Sequence, residues 1–214
     1  MEELINQIIE LEWEFFQNTK NEGGTASCQE DYDTFVIMRT AQFSCFSKEL
    51  LQGWLKDLQK AKAEGRNLIA EKYARMMEST APEQYRELAP YLVQHNAKRQ
   101  EITEEIIKLQ VEWLLECQEK YPDVIAKARS IRTSEDTPYN TSAETYLRGE
   151  LGTYSDDTLL CYGRYVISLK KEGRNLNEMI FEKQVKSYGY LSLEDAQKKE
   201  ADRMSVPFSK DSVI

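Results

Sequence analysis

The chain has one histidine, His95, in 214 residues, together with five prolines, nine glycines and four cysteines. A single histidine cannot supply the paired Glu-x-x-His ligands of a di-iron helix bundle, and it leaves any catalytic thiol one possible imidazole base. Glycine and proline are too few for the many tight turns of an all-β sandwich. Basic charge is also scarce: 28 Lys and Arg stand against 37 Asp and Glu, the net charge is −9, and the basic residues are scattered singly or in short pairs. Phosphate neutralisation needs a basic face, so the expectation is no nucleic acid and no anionic membrane surface as partner. No stretch approaches the roughly 18 apolar residues that span a bilayer. The start, MEELINQIIELEWEFF, lacks the basic region and small-residue cleavage site of a signal peptide. These absences set the expectation of a cytoplasmic protein. Cys28, Cys45, Cys117 and Cys161 are far apart with no CxxC spacing, which in a reducing compartment reads as four free thiols, mostly buried. A GxxxxGK[ST] phosphate loop and a calcium loop are both missing.

What is present is a folding composition, 41% hydrophobic and 30% charged, with an apolar period of helices. Leu4, Ile8, Leu11 and Phe15 make one stripe of a first helix over residues 2–17, ended by Gly23-Gly24. A helix returns over 34–43. Ser47 caps the next, with Leu50, Leu51, Trp54 and Leu58 inside, and Gly65 ends it; Asn67 caps another through Ile69, Tyr73 and Met76. Thr80 with Glu83, and later Thr141 with Glu144, have capping-box spacing. From about Lys98, Ile102, Ile106, Leu109 and Trp113 form a new stripe. Further helices are predicted over 155–171, from Asn175, and after Ser192.

The second series repeats the first. Glu64-Gly65-Arg66-Asn67-Leu68 returns as Glu172-Gly173-Arg174-Asn175-Leu176, 108 positions later. At that offset Ser47 meets Ser155, Trp54 meets Tyr162 and Tyr73 meets Phe181. Nearer the front the offset is 98, so that Ile8-Ile9 meets Ile106-Ile107 and Phe15 meets Trp113. A ten-residue expansion therefore falls in the loop around 121–129. The expected fold is all-α, a helical bundle of two tandem repeats related by a pseudo-twofold: residues 1–97, then 98–203 packed on them as one globular domain, with a flexible tail over 204–214. The shared pentapeptide itself reads first as a structural corner, Gly ending one helix and Asn starting the next, with the arginine reaching a carboxylate across it.

Two polar segments stand out, each between the first and second helix of its repeat: Asn21 to Gln29 and Arg132 to Thr141. If the repeats face each other, these segments flank a junction where ligand pockets commonly form. The ligand-binding candidates are Gly23, Gly24, Ser27, Gln29, Arg39, Asp136, Tyr139 and Arg148, and the catalytic candidates are Glu150 and Cys28. Glycines 23 and 24 offer backbone N–H groups to a ligand; equally, they end a helix before an ordinary loop. Cys28 lacks any base but His95, and the general base rate favours an inert thiol. Glu150 answers Gln42 at the repeat offset, so one half offers a carboxylate where the other offers an amide. The ordinary alternative is a solvated helix whose ion pairs contribute little. Glu14 and Glu112 occupy equivalent places; a carboxylate-only Mg or Mn site stays open there but is not the expectation, and the sequence leaves the cofactor unknown.

Three blocks carry a resemblance: NEGGTASCQ, KYARMMESTAPE (Lys72 to Glu83) and SEDTPYNTSAETYLRGEL (Ser134 to Leu151). They are similar to blocks of the bacterial family DUF4125, a domain of unknown function, over nearly the whole chain to about Ala196. Ala143 departs from the pattern where a larger aromatic is expected, and Asn140 where Asp is expected. The resemblance implies a bacterial origin and a helical fold and brings no substrate. Two functions stay open from the sequence: a small-molecule site, binding or catalytic, at the junction of the repeats, and a protein–protein interaction module without catalysis.

Overall fold

A computed structural model describes residues 1–20, 24 and 27–205, with the side chains of Cys28, Met204 and Ser205 excepted. Among these residues the chain is all-helical, without strands. In order, the helices are α1 (Glu2–Gln17), α2 (Tyr32–Phe43), α3 (Lys48–Ala63), α4 (Leu68–Thr80), α5 (Pro82–Leu88), α6 (Ala97–Lys120), α7 (Pro122–Ile125), α8 (Ala143–Leu151), α9 (Asp156–Lys171), α10 (Leu176–Ser187) and α11 (Leu193–Ser205). α11 takes in residues 204 and 205, and the rest of the tail expected over 204–214 lies outside the described residues.

Side-chain caps place most of these helices where the sequence puts them. Ser47 accepts from Leu50 N, Asn67 from Ala70 N, Ser155 from Thr158 N and Asn175 from Glu178 N, each satisfying an N–H that a first turn leaves free. Two caps differ from expectation. Ser142, not Thr141, caps α8, because its own N–H is held by the Asp136 carboxylate at 2.6 Å while its hydroxyl accepts from Thr145 N. Thr80 closes α4 instead of opening α5; its hydroxyl donates back to Met76 O at 3.2 Å, and Pro82 follows as the first residue of α5.

The Glu-Gly-Arg-Asn-Leu corners are structural. Gly65 and Gly173 take φ of +70° and +67°, conformations that suit glycine at a helix C-terminus. Arg66 N then donates to Ala61 O at 2.8 Å, and Arg174 N to Leu169 O at 2.9 Å. Each following asparagine also ties its corner to the long helix beside it: Asn67 Nδ2 donates to Phe15 O, and Asn175 Nδ2 to Trp113 O.

One core draws side chains from the whole length of the chain, including Ile8, Leu50, Leu51, Leu58, Ile107 and Leu159. α3 packs on α9 at its centre; α1 lies against α3 and α4, and α6 against α9 and α10. α2 packs on α10, and α8 on α4, so helices from early and late in the sequence interleave. The α4–α8 approach is close because Gly149 has no side chain: a Cβ there would lie 2.8 Å from Lys72 O. A smaller apolar cluster around Cys117, Tyr121, Ile125 and Leu193 seats α7 and α11 at one side.

Candidate functional site

Four charged side chains meet in the interior between α1, α2, α4 and α8: Glu12, Arg39, Lys72 and Glu150, all at least nine-tenths buried. Burial of charge is costly unless it is paired, and here it is paired across four helices. Arg39 Nε lies 2.8 Å from Glu12 Oε2, and Arg39 Nη1 lies 3.5 Å from Glu150 Oε2. Lys72 Nζ stands 3.6 Å from that same Glu150 oxygen and donates to Tyr146 Oη at 2.7 Å. Trp54 Nε1 donates to Glu12 Oε1 at 2.8 Å, and Gln42 Nε2 to Glu150 Oε1 at 3.1 Å.

The two carboxylates are driven apart in acidity. Burial lifts the Glu12 carboxyl above the usual carboxylate range, despite the adjacent Arg39 guanidinium. Burial acts the same way on Glu150, yet Arg39, Lys72 and the Gln42 amide together outweigh it and hold that carboxyl below its ordinary value. Such divergence within one cluster is a mark of sites that handle protons, although structural ion-pair networks produce it as well.

Beside this cluster is open space. A cavity of about 890 Å³ opens between α2, α6, α8 and α10, with α7 and α11 at its mouth. Its walls are apolar, among them Phe46, Leu114, Ile131, Leu147, Ile180 and Phe181. Polar side chains also line it, among them Gln42, Tyr146 and Glu150 next to the buried cluster, and Gln110, Tyr162 and Asn177. Gln110 Nε2 donates to Tyr162 Oη at 3.0 Å, and Asn177 Nδ2 donates to Gln110 Oε1 at 2.9 Å, so these amides are held in fixed orientation. An apolar pocket with a few convergent polar groups, of this size, has the form of a small-molecule site. A family model described as "Protein of unknown function (DUF4125)" matches residues 2–198. The chain belongs to this family. No curated protein and no solved structure matches it.

Of the residues singled out in the sequence, Arg39 and Glu150 are brought together, in the buried cluster. Asp136 and Arg148 meet in a second network outside it. Asp136 accepts from Ser79 Oγ at 2.5 Å and Thr145 Oγ1 at 2.6 Å; Thr145 bonds Thr133, and Thr133 accepts from Arg148 Nη1 at 3.0 Å. Arg148 also clamps Glu104 with Nε at 2.8 Å and Nη2 at 2.9 Å. This DUF4125 chain thus uses Asp136 to fasten α8 to α4. Gln29 is buried at the end of α1, where its amide donates to Phe16 O at 2.7 Å and Thr19 O at 3.0 Å. Gly24, Ser27 and Tyr139 are exposed. Gly23 and the Cys28 side chain lie outside the described residues. His95 is half-buried, its Nε2 2.8 Å from Gly152 O. Cys45 and Cys117 are buried free thiols, and Cys161 is half-buried.

Sequence reasoning missed Glu12, Lys72 and Tyr146. A signal was there for the first two. Glu12 falls on the apolar face of α1, four residues after Ile8 and three before Phe15; Lys72 falls between Ile69 and Met76 on the inner face of α4. Among the described residues, no group of three or more His, Cys, Asp or Glu is placed to hold a metal, and no helix is long and apolar enough to cross a membrane.

Proposed function

We propose that this DUF4125 protein binds a small, mainly apolar molecule with a polar head group. Its body lies in the cavity between α2, α6, α8 and α10, and its head meets Glu150, Gln42 and Tyr146. The observation that carries this reading is the cavity of about 890 Å³, mainly apolar, with the buried carboxylate of Glu150 in its lining. A purely structural ion pair gains nothing from facing so large an apolar space, whereas a ligand-binding one gains a place to put the ligand.

The same reading takes the chain as two repeats, and it explains how such a cavity arises. At the offset of 108, α2 corresponds to α8 and α4 to α10, so Phe35 answers Ala143, Gln42 answers Glu150, and Tyr73 answers Phe181. In the first series Phe35 stacks on Phe16 with centroids 5.6 Å apart and packs against Trp13 at 5.0 Å, filling its space with aromatic rings. In the second, Ala143 and Leu114 stand in place of Phe35 and Phe16, and both line the cavity. The duplication is supported by the matched corners and by the interleaving of α2 on α10 and α8 on α4. Divergence at two matched places, Phe35 against Ala143 and Phe16 against Leu114, then left as pocket the space whose counterpart is filled with rings.

Native mass spectrometry of freshly purified protein, set beside its denatured mass, tests the binding role. A reproducible extra mass on the wild type that disappears in Ala143→Trp, with helix content unchanged, is the expected result. The same retained mass in both proteins would place the ligand elsewhere and refute the assignment.

A further inference from the structure

This inference rests on the cavity reading and concerns the chemistry of its polar lining. Lys72 is 2% exposed, and its ammonium hydrogen bonds to a tyrosine, with its carboxylate neighbour Glu150 at 3.6 Å. The same ammonium lies 4.1 Å from the Tyr146 ring centroid, and the Arg129 guanidinium lies 5.0 Å from it. Tyr146 is therefore faced by Lys72 from α4, by Arg39 from α2, by Arg129 from the segment before α8 and by Glu150 on its own helix, with Glu12 of α1 behind Arg39. Burial opposes ionisation of the phenol, but the Lys72 and Arg39 charges prevail and hold it below the ordinary tyrosine range. Tyr146 and Arg129 both line the cavity.

We propose that Tyr146, held by Lys72, is the proton-transfer residue of this cavity, and that its substrate class is an apolar ketone that passes through its enol. As its phenolate, which the Lys72 ammonium bonded to it favours, Tyr146 takes a hydrogen as a proton from the carbon next to the carbonyl. The C–H electron pair becomes the new carbon–carbon double bond, and the carbonyl π pair moves onto oxygen. The neutral phenol then returns the proton, to that oxygen or to a carbon of the conjugated system, giving an enol or a shifted double bond. No atom is oxidised or reduced, and no co-reactant is consumed. Arg129, which spends one N–H on Thr141 O at 3.3 Å, supplies positive charge for the enolate oxygen.

Aryl alcohols mimic the enol, which allows a test independent of turnover. Wild type is expected to bind 2-naphthol about tenfold or more tighter than 2-methoxynaphthalene, the gain of one hydrogen bond to a charged group. That preference should fall at least severalfold in Tyr146→Phe, which keeps the ring against Lys72 and leaves Glu150 and Gln42 in place. In heavy water, exchange of the α-hydrogens of 2-tetralone, followed by NMR, should run faster with wild type than with Tyr146→Phe. Equal affinity of wild type for the two naphthalenes, a preference unchanged in Tyr146→Phe, or equal exchange rates would each overturn the proposal. Binding of both naphthalenes with equal affinity leaves the cavity reading standing while the proton-transfer reading falls; binding of neither removes both.

Discussion

At the scale of single residues, the buried charges of this protein sit on the apolar faces of its helices. Glu150 and Arg39 were legible in the sequence, Glu150 because the repeat sets it against Gln42. Glu12 and Lys72 were not, because a lone charge within an apolar period usually snorkels to water, and no local pattern tells a snorkelling side chain from one that meets partners on three other helices. Glu150→Gln should lower stability by about 3–5 kcal/mol in urea unfolding, since it leaves Arg39 and Lys72 buried with less compensating charge. A cost below about 1 kcal/mol, the range of a surface pair, would show that the carboxylate is solvated. Asp136 makes a different expectation. Burial raises its carboxyl, but the hydroxyls of Ser79 and Thr145 and the Ser142 N–H lower it further, below the ordinary aspartate range. Its contribution is then full above the unfolded value of about 4 and is lost as pH falls through the lower folded value. Asp136→Asn should cost about 1–2 kcal/mol at pH 6. The gap from wild type should close as pH falls below about 4. A gap that is the same at pH 6 and pH 3 would assign the loss to packing.

At the scale of elements, most helices could be read from period and caps, and the errors have local causes. Capping boxes at Thr80 and Thr141 fit the spacing, but Thr80 bonds back into α4, and Asp136 fixes the α8 cap at Ser142. Neither contact is visible in a window of four residues. The three-residue turn at Thr133–Glu135 and the short α7 were likewise hidden in a stretch with no period. Gly149 belongs to this scale, since it sets how near α8 comes to α4 and so where Lys72 meets Tyr146. Gly149→Ala should destabilise by about 1–3 kcal/mol through overpacking against Lys72 O and the Met76 side chain. It should also weaken the binding of 2-naphthol more than that of its methyl ether. Equal stability of this variant and wild type would mean that the two helices part without strain.

At the scale of the molecule, the sequence allowed an all-α fold and raised the expectation of a pocket at the junction of two related series of helices, but not the walls of one. A cavity is space left unfilled, and its walls come from helices remote in the chain: Gln42 and Glu150 are 108 residues apart and share a hydrogen bond. The sequence already marks Ala143 as standing where a larger aromatic is expected, but only the assembled helices show the space it lines. Within the two polar segments that drew attention in the sequence, Gln29 bonds the end of α1 and Asp136 ties α4 to α8, while the buried charges meet on α1, α2, α4 and α8. The central claim is that the space beside Glu150 is a binding site shaped by Ala143. It is tested most directly by fluorescence titration of 2-methoxynaphthalene into wild type and into Ala143→Trp, both checked for helix content. One saturable site per chain in wild type and none in the folded variant is the expected result. No saturable binding by wild type, or equal binding by the two proteins, would contradict it.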